Sequence, residues 1–155
     1  HLKRTWLVCA DPDVLIRAHS FCPFISRTSG FHLFRERKTW SEAQTFCREN
    51  YVDLATIETE EEFLIVVEMI RNLNIYPWIG LYDDYTSWRW SLDRKYLYQD
   101  TNTPFGNWWS FSLSYGPNEN CAEITWGILN DVDCATLKYP VCYDGEFTSK
   151  YCYIC

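Results

Sequence analysis

Between Gly116 and Cys134 the chain reads GPNENCAEITWGILNDVDC, a segment that gathers hard oxygen donors around two cysteines. Asn118 and Glu119 precede Cys121, and Asn130 and Asp131 precede Cys134. If Cys121 and Cys134 are bridged, the two pairs are held together as a compact oxygen-rich cluster. Ca²⁺ takes about 6–8 oxygen ligands in irregular geometry, so these side chains, a backbone carbonyl or two and a few waters would complete its shell. Hydroxyls of an outside ligand could replace those waters. The plainer alternative is that these residues serve only turns and caps, which they favour for local hydrogen-bonding reasons.

Other chemistry is poorly supplied. The histidines are His1, His19 and His32, none beside a plausible nucleophile, and a catalytic triad needs a placed base. Glu119 and Asp131 could form a carboxylate pair for glycoside hydrolysis, but nothing splits their pKa values as that reaction requires. No enzyme is expected. Cys152-Tyr-Ile-Cys155 is a C-x-x-C, yet no strand-to-helix context precedes it and no partner motif completes a zinc shell. Structural half-cystines are the expected role.

A length of 155 residues allows one domain with short extensions and a proper core. Hydrophobic residues make up 47% and aromatics 18%, which excludes a disordered chain. The formal net charge of -7 and the lack of a basic stripe argue against nucleic acid and against an anionic membrane surface. Eight cysteines read as a disulfide framework made in an oxidising compartment, hence a secreted or extracellular setting. The first residue, His1, fits a removed signal peptide or a trimmed chain, and no apolar run is long enough to predict membrane insertion.

The elements that must position the oxygen cluster follow from local signals. Phe31 to Phe34 reads as a strand. Thr39-Trp-Ser-Glu42 is a capping box opening a helix that runs to Asn50 and buries Trp40, Ala43, Phe46 and Cys47. Asp53 to Ile57 reads as a short strand or strand-like link. Thr59-Glu-Glu-Glu62 repeats the capping box, with acids on the positive end of the helix dipole, for a helix through Phe63, Leu64, Val67 and Ile70 to about Asn72. Trp78-Ile-Gly-Leu81 is a buried strand. From Tyr82 to Tyr115 periodicity disappears, and so long a loop in a compact domain is commonly functional. Cys121 to Trp126 and Pro140 to Tyr143 read as closing strands. Helices early and strands late predict an α+β fold with an antiparallel sheet.

These residues carry a resemblance. The first helix with Cys47, the second helix, Trp78-Ile-Gly-Leu81, Trp88-Arg-Trp90, Asn107-Trp108 and the order of four cysteines resemble a C-type lectin-like domain over about Phe31 to Tyr143. The resemblance implies the C-type lectin fold, two helices on small antiparallel sheets with a long loop region. It divides the chain into an arm, 1–30, with Cys9 and Cys22, a domain, 31–143, and a tail, 144–155, with Cys152 and Cys155. It implies bridges Cys47–Cys142 and Cys121–Cys134, stabilising by about 4–5 and about 3 kcal/mol in the chain-entropy model.

The resemblance also implies one Ca²⁺ held by Asn118, Glu119, Asn130 and Asp131, which would bind neighbouring sugar hydroxyls, after a cis bond at Pro117. Trp109 or Tyr115 could pack against a sugar ring, with core burial as the alternative. Two positions depart from the family. Gly116 stands where Glu or Gln supplies a ligand and reads the sugar, and Leu129 stands where Trp is usual. Phe31 also occupies the place of a cysteine in the long form of the family, so Cys9, Cys22, Cys152 and Cys155 must pair in one of three ways, with an arm-to-tail staple favoured, or between chains. The expected function is Ca²⁺-dependent binding of a glycan or glycoprotein. The alternative is a Ca²⁺-independent domain that binds protein or assembles as a homo- or hetero-oligomer.

Overall fold

The computed structural model describes residues 7–10, 24–28, 30–97, 110–112, 118, 120–125, 127–145 and 150–154. The elements are β1 (Leu7–Ala10), β2 (Phe24–Thr28), β3 (Phe31–Leu33), α1 (Trp40–Asn50), β4 (Asp53–Leu54), α2 (Glu60–Ile70), β5 (Trp78–Asp83) and β6 (Trp88–Trp90). They continue with β7 (Ser110–Ser112), β8 (Cys121–Ile124), β9 (Ile128–Val132), β10 (Val141–Tyr143) and β11 (Lys150–Ile154). The chain divides into two compact units, His1–Gly30 with Glu146–Cys155, and Phe31–Gly145.

In the smaller unit β11 lies between β1 and β2, antiparallel to both. Its Lys-Tyr-Cys-Tyr-Ile sequence is rich in strand formers, and both of its edges find partners. The register sets Cys9 directly opposite Cys152.

In the larger unit both helices begin as their local signals require. Thr39 Oγ1 accepts the Glu42 N–H while Glu42 accepts the Thr39 N–H, and Thr59 and Glu62 repeat the pattern. These reciprocal bonds satisfy amides that a helix start leaves unpaired. α1 buries Trp40, Ala43 and Cys47, with Phe46 half-buried against Phe34. α2 stops at Ile70, short of Asn72, and leaves Leu64 exposed while Phe63, Val66 and Ile70 point inward.

β3 and β4 flank β10, and a second sheet runs β6-β5-β8-β9-β7. The latter is not wholly antiparallel, because β7 pairs with β9 in parallel. The Trp78-Ile-Gly-Leu81 run is buried throughout. Trp78 donates its indole N–H to the Lys38 carbonyl at 3.0 Å and Trp40 donates to the Ile79 carbonyl at 2.9 Å, so each ring is packed and its polar edge satisfied. Gly80 is there because the backbone comes too close for a side chain: a Cβ would lie 3.1 Å from the Leu54 and Ala55 carbonyl oxygens. The segment 53–57 is a two-residue strand continued by a buried connection.

Cys47–Cys142 ties α1 to β10 and Cys121–Cys134 ties the start of β8 to the residues after β9, with Cα separations of 5.3 and 5.2 Å. The first part of the expected structureless stretch is ordered. β5 and β6 form a hairpin whose turn is organised by Asp84, which accepts the Thr86 and Ser87 N–H groups and pairs with Arg89. The closing strands are shorter than read, Cys121–Ile124 and Val141–Tyr143, and β9 adds a strand through the second oxygen pair.

Candidate functional site

The Cys121–Cys134 bridge brings the end of β9 to the start of β8. Register sets Asp131 opposite Ala122 and Asn130 opposite Glu123. Strand alternation then separates the pair. Asp131 shares the buried face with Leu129, while Asn130 is on the other face, half-buried. Leu129, which takes the place of the usual Trp, is fully buried and serves the core.

On its own face Asn130 donates Nδ2–H to Glu123 Oε1 at 3.0 Å. Lys138 Nζ meets Glu123 Oε2 at 2.5 Å. Glu123 is buried and the Lys138 ammonium lies 5.7 Å from the Trp78 ring centroid, so the carboxylate neutralises a part-buried ammonium and orients the Asn130 amide. With its nitrogen committed, Asn130 presents its Oδ1 as the end able to ligate. Sequence reading missed Glu123 and Lys138. A charged residue inside the otherwise apolar Cys-Ala-Glu-Ile strand was the available signal, since buried charges need a partner.

Asn118 sits in an exposed turn ahead of β8. It lines a cleft of about 490 Å³ beside the bridge, together with Asp83, Asn120 and Asp133. The aromatic wall of this cleft is Trp40, Tyr82 and Tyr85. Asp83 Oδ1 accepts the Tyr85 N–H at 3.0 Å and Asp133 Oδ1 accepts the Ala135 N–H at 2.9 Å. Glu119, Trp109, Tyr115, Gly116 and Pro117 lie outside the described residues. Among the described residues no three of His, Cys, Asp and Glu gather into a metal-binding group. Taken singly, Asp131 offers a carboxylate and Asn130 and Asn118 amide oxygens of the kind a hard cation takes, but Asp131 and Asn130 are on opposite faces of β9 and neither lines the cleft that holds Asn118. Among the described residues no helix is long and apolar enough to cross a membrane.

Comparison with known proteins gives the family. The model of the lectin C-type domain matches residues 36–144. E-selectin of Oryctolagus cuniculus is 28% identical over 129 residues, covering 79% of this chain and 23% of the selectin. The chain spans only 15% to 32% of the length of the selectins it matches. The mouse scavenger receptor C-type lectin carbohydrate-recognition domain superposes with a TM-score of 0.58 at 23% identity, covering 77% of this chain and 92% of that one. A Ca²⁺-dependent type II antifreeze protein in its Ca²⁺-free form superposes with a TM-score of 0.57 at 21% identity, covering 72% and 88%. The family is one of binding domains and the chain is not an enzyme. The two helices, the small sheets, the two bridges and the matched domain model together establish that this chain belongs to the C-type lectin domain family.

Proposed function

We propose that this domain is a Ca²⁺-dependent lectin whose cation sits at Asn118, Glu119, Asn130 and Asp131 and binds glycan hydroxyls. The observation that carries the reading is the Asn130 amide, whose nitrogen is held by Glu123 at 3.0 Å so that its oxygen is the free end. Bound Ca²⁺ would supply coordination positions that sugar hydroxyls can fill. Glu119 and Asp131 would balance its charge, and Asn118 and Asn130 would share hydrogen bonds with the same hydroxyls. Trp109 or Tyr115 would pack against a sugar ring. Gly116 brings no side-chain oxygen, so a weak site is expected, and extracellular Ca²⁺ sites work at about 10⁻⁴–10⁻³ M. The disulfides support a secreted or extracellular setting.

The test is thermal unfolding in 10 mM Ca²⁺ against EDTA, followed by glycan binding under both conditions. A ligand at about 100 times its dissociation constant stabilises by roughly 2.7 kcal/mol, and at roughly 3 °C per kcal/mol the midpoint rises by about 8 °C. The rise should be lost in Asn118→Ala, which changes an exposed side chain, and in Asp131→Asn. No rise, or glycan binding that survives EDTA, sinks this reading.

A second reading, binding of protein or self-assembly without Ca²⁺, is favoured by one observation: the cleft beside the bridge joins carboxylates to aromatic rings that the metal set does not use.

A further inference from the structure

We infer that this cleft receives an arginine side chain of a partner protein, by stacking on its tyrosines and pairing with Asp83 and Asp133. Three observations point the same way. The first is charge. Asp83 and Asp133 both line the cleft, and no lysine, arginine or histidine among the described residues lines it. The N-terminus of α1 reaches the cleft at Trp40, but a helix end carries only about half a positive charge, which two carboxylates outweigh.

The second is the aromatic wall. A planar guanidinium stacks on aromatic faces while its fork of N–H groups meets carboxylates, which a compact ammonium does less well. Trp40 and Tyr82 line the cleft with centroids 5.5 Å apart, Trp40 in the core cluster and Tyr82 packed against it. The third is Tyr85. It is 84% exposed and sits at φ 69°, a left-handed conformation uncommon for so bulky a residue. Asp83 holds it there through the Tyr85 N–H. That φ belongs to the β5–β6 turn, and the turn leaves on the lining of the cleft a large exposed ring whose face an occupant can cover.

Each aspartate has one oxygen bonded to a backbone N–H, at 3.0 and 2.9 Å. An ionised carboxylate offers about four acceptor sites, so both stay oriented and retain capacity for a guanidinium. A volume of about 490 Å³ is ample for one arginine side chain.

The experiment is a ¹⁵N-NMR titration of the whole oxidised chain in EDTA, which separates this site from the Ca²⁺ reading. The probes are an acetylated Gly-Arg-Gly amide and its citrulline counterpart, which keeps the shape and loses the charge. Saturable shifts at Tyr82, Tyr85, Asn120 and Asp133 with the arginine peptide, at least fivefold weaker with citrulline, support the inference. Tyr85→Ala and Asp133→Asn should each weaken binding threefold or more while leaving the remaining spectrum in place, since both side chains are exposed. Equal binding of the citrulline peptide, shifts confined to other surfaces, a response to glucosamine with none to the arginine peptide, or indifference to both substitutions would each overturn it.

Discussion

Lys138→Met tests whether the Glu123–Lys138 pair carries the load the structure assigns to it. The Nζ–Oε2 separation is 2.5 Å, and the side chains are only 16% and 6% exposed. At an effective dielectric of about 20, charges at that distance attract by about 7 kcal/mol, and desolvation of the two ions takes back much of this. Removing one partner is a different matter from removing both. Methionine keeps most of the stem's length but leaves the Glu123 carboxylate buried, with Asn130 Nδ2 as its donor at 3.0 Å. Breaking such a pair costs about 3–5 kcal/mol. At roughly 3–4 °C per kcal/mol the unfolding midpoint should fall by roughly 9–20 °C. Thermal unfolding reads that midpoint, and urea unfolding of the oxidised protein at pH 7, with a constant m-value, reads the loss of stability itself. The double variant Glu123→Gln with Lys138→Met keeps an oxygen for Asn130 and removes both charges, so it should recover to within about 1 kcal/mol of the parent. A loss below about 1 kcal/mol in Lys138→Met, or a double variant less stable than that single one, would refute the reasoning.

Three further outcomes are expected. Gly80→Ala drives a methyl to 3.1 Å from two backbone carbonyl oxygens and from Ser91 Oγ, so it should destabilise by about 1–3 kcal/mol in the same urea assay. The Thr86 hydroxyl, the Ser87 and Thr86 N–H groups and Arg89 hold the Asp84 carboxyl well below its ordinary 3.8. Its native-state pKa is depressed, so its contribution is complete above that ordinary value and is lost as pH falls through the native one; an Asp84→Asn variant should therefore show a flatter stability profile than the parent below about pH 4. Antiparallel partners lie about 4.5 or 5.5 Å apart at Cα, within disulfide range, so the Cys9–Cys152 register predicts a bridge between arm and tail, with Cys22 and Cys155 left as the second pair. Peptide mapping without reduction should recover the Cys9–Cys152 peptide, and a Cys9 peptide linked to any other cysteine contradicts it.

Both helix starts were legible because a capping box is a contact across three residues, and the same Thr and Glu side chains make it in the folded chain. The buried Trp78–Leu81 strand was legible from its apolar run. The β5–β6 hairpin was overlooked, although Asp84 followed by Thr86 and Ser87 is a local turn signal of the kind short polar side chains provide. The candidate site was legible only as a set of residue types near two cysteines. Neighbours in sequence, Asn130 and Asp131 belong to opposite faces of one strand, and that depends on where β9 enters the sheet.

By itself, then, the sequence determined the elements whose causes are local: the capped helices, the apolar strand, the acidic and cysteine-rich character, and the family to which these motifs point. The tertiary structure alone decided that Lys138 neutralises Glu123, that Glu123 turns the Asn130 amide, and that Trp40, Tyr85 and Asp133 wall one cleft. The physical reason is range. Caps and alternation are written in neighbours three or four residues apart, whereas these contacts join distant segments whose meeting depends on the sheet register and on the bridges that hold it.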